Sequence, residues 1–340
     1  MDIKTIQYTP KDFKSDQEVR WCPGCGDHAV LNAIQRAMAE LSIPKEKFAV
    51  ISGIGCSSRF PYYMNTYGFH GIHGRAGAIA SGVKVANPEL CVWQITGDGD
   101  AMAIGGNHFI HEIRRNIDLN VILFNNEIYG LTKGQYSPTS KEGSKTKTSP
   151  FGTVEPPFKP GMLVLGAMGK FFARTIDNNI KVTVEVMKEA AKFRGTSVVE
   201  VLQNCVIYND QVFAEISDKQ HKLDRQLVVE HGKKMIFGTN NDKGIVQDGL
   251  GLKVVTIGQD GYTEDDILVH NAHDPNPYIH MMLVNMQLPE FPVVFGVIRA
   301  VQEEHTYDAK VEHQIASVQS KSVIKNMDDL MNSGDTWEVK

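Results

Sequence analysis

Gly97-Asp98-Gly99-Asp100, preceded by the apolar run Cys91-Val-Trp-Gln-Ile-Thr96 and followed after a helix-length gap by Val121-Ile-Leu-Phe124 and Asn125-Asn126, decides the fold of this 340-residue chain. The two apolar runs read as strands, and the roughly twenty residues of helical pattern between them make a βαβ crossover. Such a crossover is parallel, so the carboxyl ends of both strands fall at one edge of the sheet and Asp98 and Asn126 emerge side by side. The expected fold class is α/β: an open, mostly parallel sheet flanked by helices, with ligands bound at that edge.

The residue types narrow the ligand. Asp98 and Asp100, packed among glycines at a strand end, would each cost on the order of several kcal/mol if desolvated without a counter-charge. A cation is therefore expected. Mg²⁺ takes hard oxygen donors, one or two of them protein carboxylates and the others substrate phosphates, and Asp98, the Asn126 amide oxygen and a backbone carbonyl suit that set. Glycines let backbone amides approach phosphate closely, and a helix beginning near Ala101 would point its positive end at the anion. The plain alternative is a Gly/Asp turn followed by a loop Asn pair.

Composition excludes several classes. A net charge of only −5 leaves no nucleic-acid footprint. No twenty-residue apolar run marks a membrane span, and Met1-Asp-Ile-Lys-Thr5 lacks the basic and apolar regions of a signal peptide, so the expected compartment is the cytoplasm. Five cysteines are few and odd in number, which reads as thiols or metal ligands rather than a disulfide framework.

The placement of those cysteines is the second clue. Cys22-Pro-Gly-Cys25-Gly26 is a knuckle at the start of an amphipathic helix carrying Val30, Ala33, Ile34, Ala37, Met38 and Leu41 on one stripe. Cys56, in Gly53-Ile-Gly-Cys-Ser-Ser58, directly follows the strand Phe48-Ala-Val-Ile51, and Cys205 follows the strand Ser197-Val-Val-Glu-Val-Leu202 by three residues. Both belong at the same edge as Asp98. Cys91 opens a strand at the opposite end, where a small buried thiol is the ordinary explanation. Cys22, Cys25, Cys56 and Cys205 remain as a candidate four-thiolate set, which suits either Zn²⁺ or an iron-sulfur cluster. One knuckle with two widely separated single cysteines departs from the paired knuckles of a zinc ribbon. A thioredoxin-like redox pair lacks its βαβ context around Cys22.

Taken together, Trp21-Cys-Pro-Gly-Cys-Gly26, Gly53-Ile-Gly-Cys56, His73-Gly-Arg-Ala76, Gly97-Asp-Gly-Asp100 and Asn125-Asn-Glu-Ile-Tyr-Gly-Leu-Thr-Lys-Gly-Gln-Tyr-Ser-Pro-Thr139 closely resemble the β subunit of the 2-oxoacid:ferredoxin oxidoreductases. The resemblance covers residues 10–210 or so and is nearest to the 2-oxoglutarate type. It implies thiamine diphosphate with Mg²⁺ and one 4Fe-4S cluster. Asp98 and Asn126 would be magnesium ligands with the backbone of Ile128, while Gly97, Gly99 and Asp100 line the pyrophosphate. Tyr129, Gly130 and Leu131 would lie along the cofactor. Cys22, Cys25, Cys56 and Cys205 would hold the cluster, with the Cys56 loop also touching the thiamine. Asp27 matches a position near the thiamine, with a helix N-cap as its plain alternative.

The reaction so implied is coenzyme A-dependent oxidative decarboxylation, 2-oxoglutarate giving succinyl-CoA and CO₂, with electrons leaving through the cluster to ferredoxin. A cluster beside the cofactor can take electrons singly, so no hydride carrier is needed. Pyruvate or a branched 2-oxoacid is the alternative substrate. Lys133, just beyond the magnesium loop, is the candidate partner for a second substrate carboxylate or a coenzyme A phosphate, against a solvated loop lysine. His73 and Arg75 are candidates for meeting a carboxylate or phosphate, His70 less so. Ser137 to Pro150, rich in Ser, Thr, Lys and Pro, reads as a lid or a linker.

Other readings fail or stay general. His108, His111 and Glu112 would need histidine where Arg115 stands to form the zinc-protease pattern. No P-loop and no dinucleotide-binding glycine turn follows a strand. Helices are predicted over Gly161–Ile176, Val182–Phe193 and Val212–Phe237, a hairpin around Asp248-Gly249 and a hinge at Pro289-Glu-Phe-Pro292. Residues 1–210 are expected to bind the cofactors, and 211–340 to form a C-terminal extension packing on the core or on a partner. Thiamine enzymes need a glutamate near the aminopyrimidine, usually on a second α/β domain. Only one such domain is legible here, so an α subunit is expected to supply it. Two rivals remain: a self-sufficient thiamine enzyme with its own second domain, and a zinc-stabilised, non-enzymatic scaffold.

Overall fold

A computed structural model describes residues 7–339; the Met1–Thr5 segment read above lies outside the described residues. The described residues form eleven strands: β1 Phe48–Ser52, β2 Tyr67–His70, β3 Cys91–Gly97, β4 Asn120–Asn125, β5 Phe171–Ile176, β6 Ser197–Leu202, β7 Gln226–Val229, β8 Ile236–Phe237, β9 Lys243–Asp248, β10 Gly251–Thr256 and β11 Val293–Ala300. Eight make one sheet in the order β2-β1-β3-β4-β6-β5-β11-β7, and β8, β9 and β10 make a small antiparallel sheet. In the large sheet every pairing is parallel except that between β5 and β11. The expected α/β class with a mostly parallel sheet is what the chain adopts.

Burial explains why these segments are strands. Every residue of β1, β4, β5 and β6 is buried, as expected for central parallel strands covered on both faces. Alternate residues part to opposite cores. Phe48 and Val50 join Trp93, Ile122 and Val199 beneath the helices Asp27–Glu40 and Ile180–Lys192. Ala49 and Ile51 join Val121, Leu123 and Phe172 beneath the helices Ala76–Ala86, Gly106–Arg115, Pro160–Gly166 and Tyr278–Asn285. The edge strand β2 is different: Tyr67 and Phe69 are 66% and 53% exposed.

The order of strands places the site. From β1 the chain steps outward to β2 and then returns to the other side of β1 as β3, so the connections diverge at β1 and β3 and open a crevice at their carboxyl ends. The loops after β1, β3, β4 and β6 carry Cys56, Asp98, Asn126 and Cys205 to that edge.

Three expectations change. The helix predicted over Gly161–Ile176 is a helix only over Pro160–Gly166; Met168 takes a positive φ of 67°, and the buried strand β5 follows. Short apolar runs are ambiguous between helix and strand, and here the turn after Gly166 settles it. Val212–Phe237 holds two one-turn helices, Ala214–Ser217 and Lys222–Arg225, then β7 and β8, elements too short to impose a period on the sequence. The helix after β3 starts at Asp98 itself, not near Ala101, and the crossover is completed by Gly106–Arg115. The hairpin around Asp248-Gly249 is β9–β10. Strands β7 and β11, from beyond residue 210, complete the large sheet.

Candidate active site

Asp98, the residue directly after β3, is almost fully buried, at 3% exposure, and its Oδ2 accepts hydrogen bonds from Ser137 Oγ at 2.6 Å and from Thr139 Oγ1. Burial pushes its carboxyl upward and the two hydroxyls pull it back. The stretch from Ser137 is thus neither a lid nor a linker at its start: Ser137, Thr139 and Ser140 are buried, and Ser140 Oγ donates to the carbonyl of Glu127 at 2.6 Å. Asn126 Oδ1 accepts from the Ile128 amide at 3.2 Å, and its Nδ2 donates to Gln203 Oε1 at 2.8 Å. Asp98, Asn126, Ile128, Gly97 and Gly99 border one cavity of about 400 Å³, together with Asp27, Cys56, His73 and the segment from Tyr129 to Thr132.

At two glycines, one in this wall and one beside it, a side chain closes directly onto the backbone. A Cβ on Gly99 would stand 2.1 Å from the Tyr129 ring, whose hydroxyl donates to the Gly99 carbonyl at 3.0 Å. A Cβ on Gly53 would stand 2.0 Å from Asp100 Oδ2. Asp100 borders the cavity, but its bonds go to protein. Oδ1 accepts from the Gly74 amide at 2.7 Å, the Ile54 amide at 3.1 Å and His73 Nδ1 at 2.8 Å, and Oδ2 accepts from Thr96 Oγ1 at 2.9 Å. One carboxylate therefore ties together the loops that follow β1, β2 and β3.

That latch orients His73. In the neutral ring with Nδ1 donating to Asp100, Nε2 is the acceptor beside the cavity, and the ring lies edge-on to Tyr129. Arg75 turns aside, precedes the helix Ala76–Ala86 and donates to the Gly74 carbonyl at 3.3 Å. Lys133 is exposed at φ 77° in a turn closed by its own amide donating to the Gly130 carbonyl at 3.0 Å. Leu131 and Thr132 line the cavity; Lys133 stands outside it.

Of the four candidate cysteines, Cys56 lines this cavity and Cys205 lies just behind it at Gly130. Cys22 is exposed, Cys25 and Cys56 are half-buried and Cys205 is buried. A Cβ on Gly130 would stand 3.5 Å from Cys205 Sγ and 3.6 Å from Cys56 Sγ, so the absence of a side chain at Gly130 leaves space between those sulfurs. Gly24, at φ 83°, turns the knuckle, and Gln203 Nε2 donates to Cys25 Sγ at 3.3 Å. Burial, then Asp27, then neighbouring thiols push the Cys25 thiol well up and the Cys56 thiol to about 12. Among the described residues no three His, Cys, Asp or Glu side chains are grouped to hold a single metal ion.

Asp27 is not an N-cap. It is the first helical residue after Gly26, 1% exposed, with Oδ2 unpartnered. Burial first and Asp177 second push its carboxyl to about 7.

A neighbouring hollow of about 450 Å³ shares Ile54, Gly55 and Leu131 with the first and brings in Arg59, Tyr62 and His70. The His70 Nδ1 lies 3.2 Å from Tyr62 Oη, and its buried Nε2 has no partner. Among the described residues no carboxylate pairs with Arg59. Its only signal in the sequence is a cation three positions past Cys56 in an edge loop. Ser137 and Thr139 also stand in the quoted motif string, without anything local to say that they turn back onto Asp98.

A family model described as the thiamine pyrophosphate enzyme, C-terminal TPP binding domain, matches residues 53–201. The 2-oxoglutarate oxidoreductase subunit KorB of Mycobacterium tuberculosis is 45% identical over 332 residues, covering 97% of this chain and 88% of that one. The 2-oxoglutarate synthase subunit KorB of Archaeoglobus fulgidus is 47% identical over 185 residues, 54% of this chain and 69% of its own. The solved structure of the 2-oxoglutarate:ferredoxin oxidoreductase from Magnetococcus marinus, with 2-oxoglutarate, coenzyme A and succinyl-CoA bound, aligns with a TM-score of 0.78 at 32% identity over 98% of each chain.

Proposed function

This chain belongs to the β-subunit family of the thiamine diphosphate-dependent 2-oxoacid:ferredoxin oxidoreductases, and from that membership we propose the residues by which it acts on 2-oxoglutarate. The observation that carries the reading is that Asp98, Asn126 and Cys56 wall one cavity, with Cys205 directly behind it at Gly130. Thiamine diphosphate supplies the electron sink for decarboxylation, and a 4Fe-4S cluster supplies single-electron steps.

The binding and positioning roles on this side of the site fall to the chain's own groups. Asp98, Asn126 and the Ile128 backbone hold Mg²⁺, with Gly97 and Gly99 against the pyrophosphate; the buried carboxylate, already supplied with two hydroxyl donors, suits a cation on its other oxygen. Cys22, Cys25, Cys56 and Cys205 hold the cluster. Burial keeps the Cys25 and Cys56 thiols from ionising, a condition that a cationic iron core would reverse. Asp27 offers its unpartnered oxygen to the thiamine side of the cavity. His73 Nε2, oriented through Asp100, accepts the thiol proton of coenzyme A, and Arg75 braces that loop. Arg59, with His70, receives the distal carboxylate of 2-oxoglutarate, leaving Lys133 at the mouth for a coenzyme A phosphate. The α subunit supplies the thiamine-activating glutamate, ferredoxin accepts the electrons, and the compartment is the cytoplasm. No helix among the described residues is long and apolar enough to cross a membrane.

The test is turnover of the anaerobically purified αβ complex. It should reduce ferredoxin or a viologen only with 2-oxoglutarate and coenzyme A present, kcat/KM for 2-oxoglutarate exceeding that for pyruvate or branched 2-oxoacids. The β chain alone should be inactive and brown, bleaching with dithionite. A colourless protein holding one zinc, or equal turnover without the α chain, would refute the reading.

A further inference from the structure

Asp98 is the inner end of a hydrogen-bonded line of buried side chains that crosses the sheet. Arg174 on β5 and Glu200 on β6 are register partners, and Arg174 Nε donates to Glu200 Oε2 at 2.7 Å with both side chains nine-tenths buried. Glu200 Oε1 accepts from Asn125 Nδ2 at 2.8 Å, which fixes the Asn125 amide so that its Oδ1 faces Thr139 Oγ1 at 3.0 Å. Thr139 Oγ1 in turn reaches Asp98 Oδ2. At the outer end Arg174 Nη2 donates to the Val284 carbonyl at 3.3 Å, in the helix Tyr278–Asn285.

A buried ion pair contributes little net stability, because desolvating both charges offsets their attraction. Its presence beneath a largely apolar core therefore calls for another account. Charge-assisted bonds are short and directional, so Arg174 fixes Glu200, and Glu200 decides which way the Asn125 amide points. Thr139 carries a single hydroxyl proton and has two acceptors in reach, Asn125 Oδ1 and Asp98 Oδ2. The anion is the stronger acceptor, while Asn125 sets where the hydroxyl oxygen must sit. Ser137 Oγ completes the grip on the same oxygen at 2.6 Å. With Oδ2 held twice, Oδ1 is the oxygen left to a cation.

We propose that Thr139, Asn125, Glu200 and Arg174 are positioning residues that aim the Asp98 carboxylate at the magnesium ion, anchoring the metal site to the C-terminal part of the chain. The inference rests on Asp98 being a magnesium ligand. Outer groups that orient a metal ligand are worth about 10- to 100-fold in metal affinity.

The experiment uses the whole αβ complex, freed of metal and thiamine diphosphate and reloaded with Mn²⁺ and thiamine diphosphate, with bound Mn²⁺ followed by electron paramagnetic resonance. Thr139→Val should weaken Mn²⁺ binding by roughly tenfold to a hundredfold, Thr139→Ser should restore it, and Glu200→Gln should give an intermediate loss. The melting temperature of the metal-free complex should stay at the wild-type value in Thr139→Ser and Thr139→Val. Should Thr139→Val not assemble, Ser137→Ala carries the test and should weaken binding severalfold. Wild-type affinity in Thr139→Val, a serine variant as weak as the valine one, or losses that simply follow melting temperature would each overturn the proposal. Asp98→Ala separates the two claims: unchanged Mn²⁺ affinity there sinks the magnesium assignment itself, whereas a loss there beside a wild-type Thr139→Val sinks only the relay.

Discussion

The two halves of the cavity wall are prepared in opposite ways. On the phosphate side, Asp98 and Asp100 are buried carboxylates held by the protein, Asp98 through one oxygen by two hydroxyls and Asp100 by two amides, an imidazole and a hydroxyl. On the sulfur side, Asp27 keeps an unpartnered oxygen, and burial drives the Cys25 and Cys56 thiols toward their neutral forms. The first half is organised by the protein itself; the second is organised by what it binds. A buried polar group without a partner costs about 1–3 kcal/mol, so the sulfur side weakens the empty chain while the phosphate side does not.

The largest effect should come from the sulfur side. Cys205→Ser is expected to remove the brown chromophore and take ferredoxin reduction to background, while thiamine diphosphate binding, read by fluorescence quenching, survives within about threefold. Loss of both together would break the contrast, because it would make the halves one cooperative unit. A middle-sized effect should separate substrates. Arg59→Ala should raise KM for 2-oxoglutarate by roughly tenfold to a hundredfold, the worth of one charge-assisted hydrogen bond, with kcat little changed and pyruvate unaffected. Lys133→Ala should leave KM for 2-oxoglutarate within about threefold, as befits an exposed side chain. Equal losses for pyruvate and 2-oxoglutarate would remove Arg59 from carboxylate recognition.

The smallest effect tests whether an unpartnered acid costs stability away from both halves. Glu112, 1% exposed, has Oε1 bonded to Gln94 and Oε2 free, and burial lifts its carboxyl from 4.5 to about 8. Between those values the folded chain holds the proton that the unfolded chain has released, so stability falls as pH rises through that window. Glu112→Gln should flatten this decline and stabilise the chain by about 1–3 kcal/mol at pH 8, with little change at pH 5. Parallel melting curves for the two proteins across that range would show that the acid is stabilised by something other than its proton.

What could be read from the sequence follows from range of interaction. Asp98, Asn126, Cys56 and Cys205 were legible because each sits just past a strand whose apolar run announces it, and parallel pairing then fixes their common edge. Glycines at 53 and 99 carried information for the same reason: backbone comes close there. Thr139, 41 positions from Asp98, and Glu200, 75 from Asn125, gain their meaning only from pairing across the sheet. Arg174 lay hidden inside a stretch expected to be helical, so its register opposite Glu200 had no sequence signature. The four-residue β7 and two-residue β8 are too short to show a period, and their charged surroundings read as helix.

The bare edge of β2 bears on how this chain must be made. Among the described residues no strand lies beside its backbone on the side away from β1, and Tyr67, Phe69 and Ile72 stand exposed there at 53–68%. An unprotected edge carrying aromatic side chains is a template for adding further strands, including those of identical copies. In colloidal terms that edge is a sticky patch, and the chain on its own is expected to associate through it.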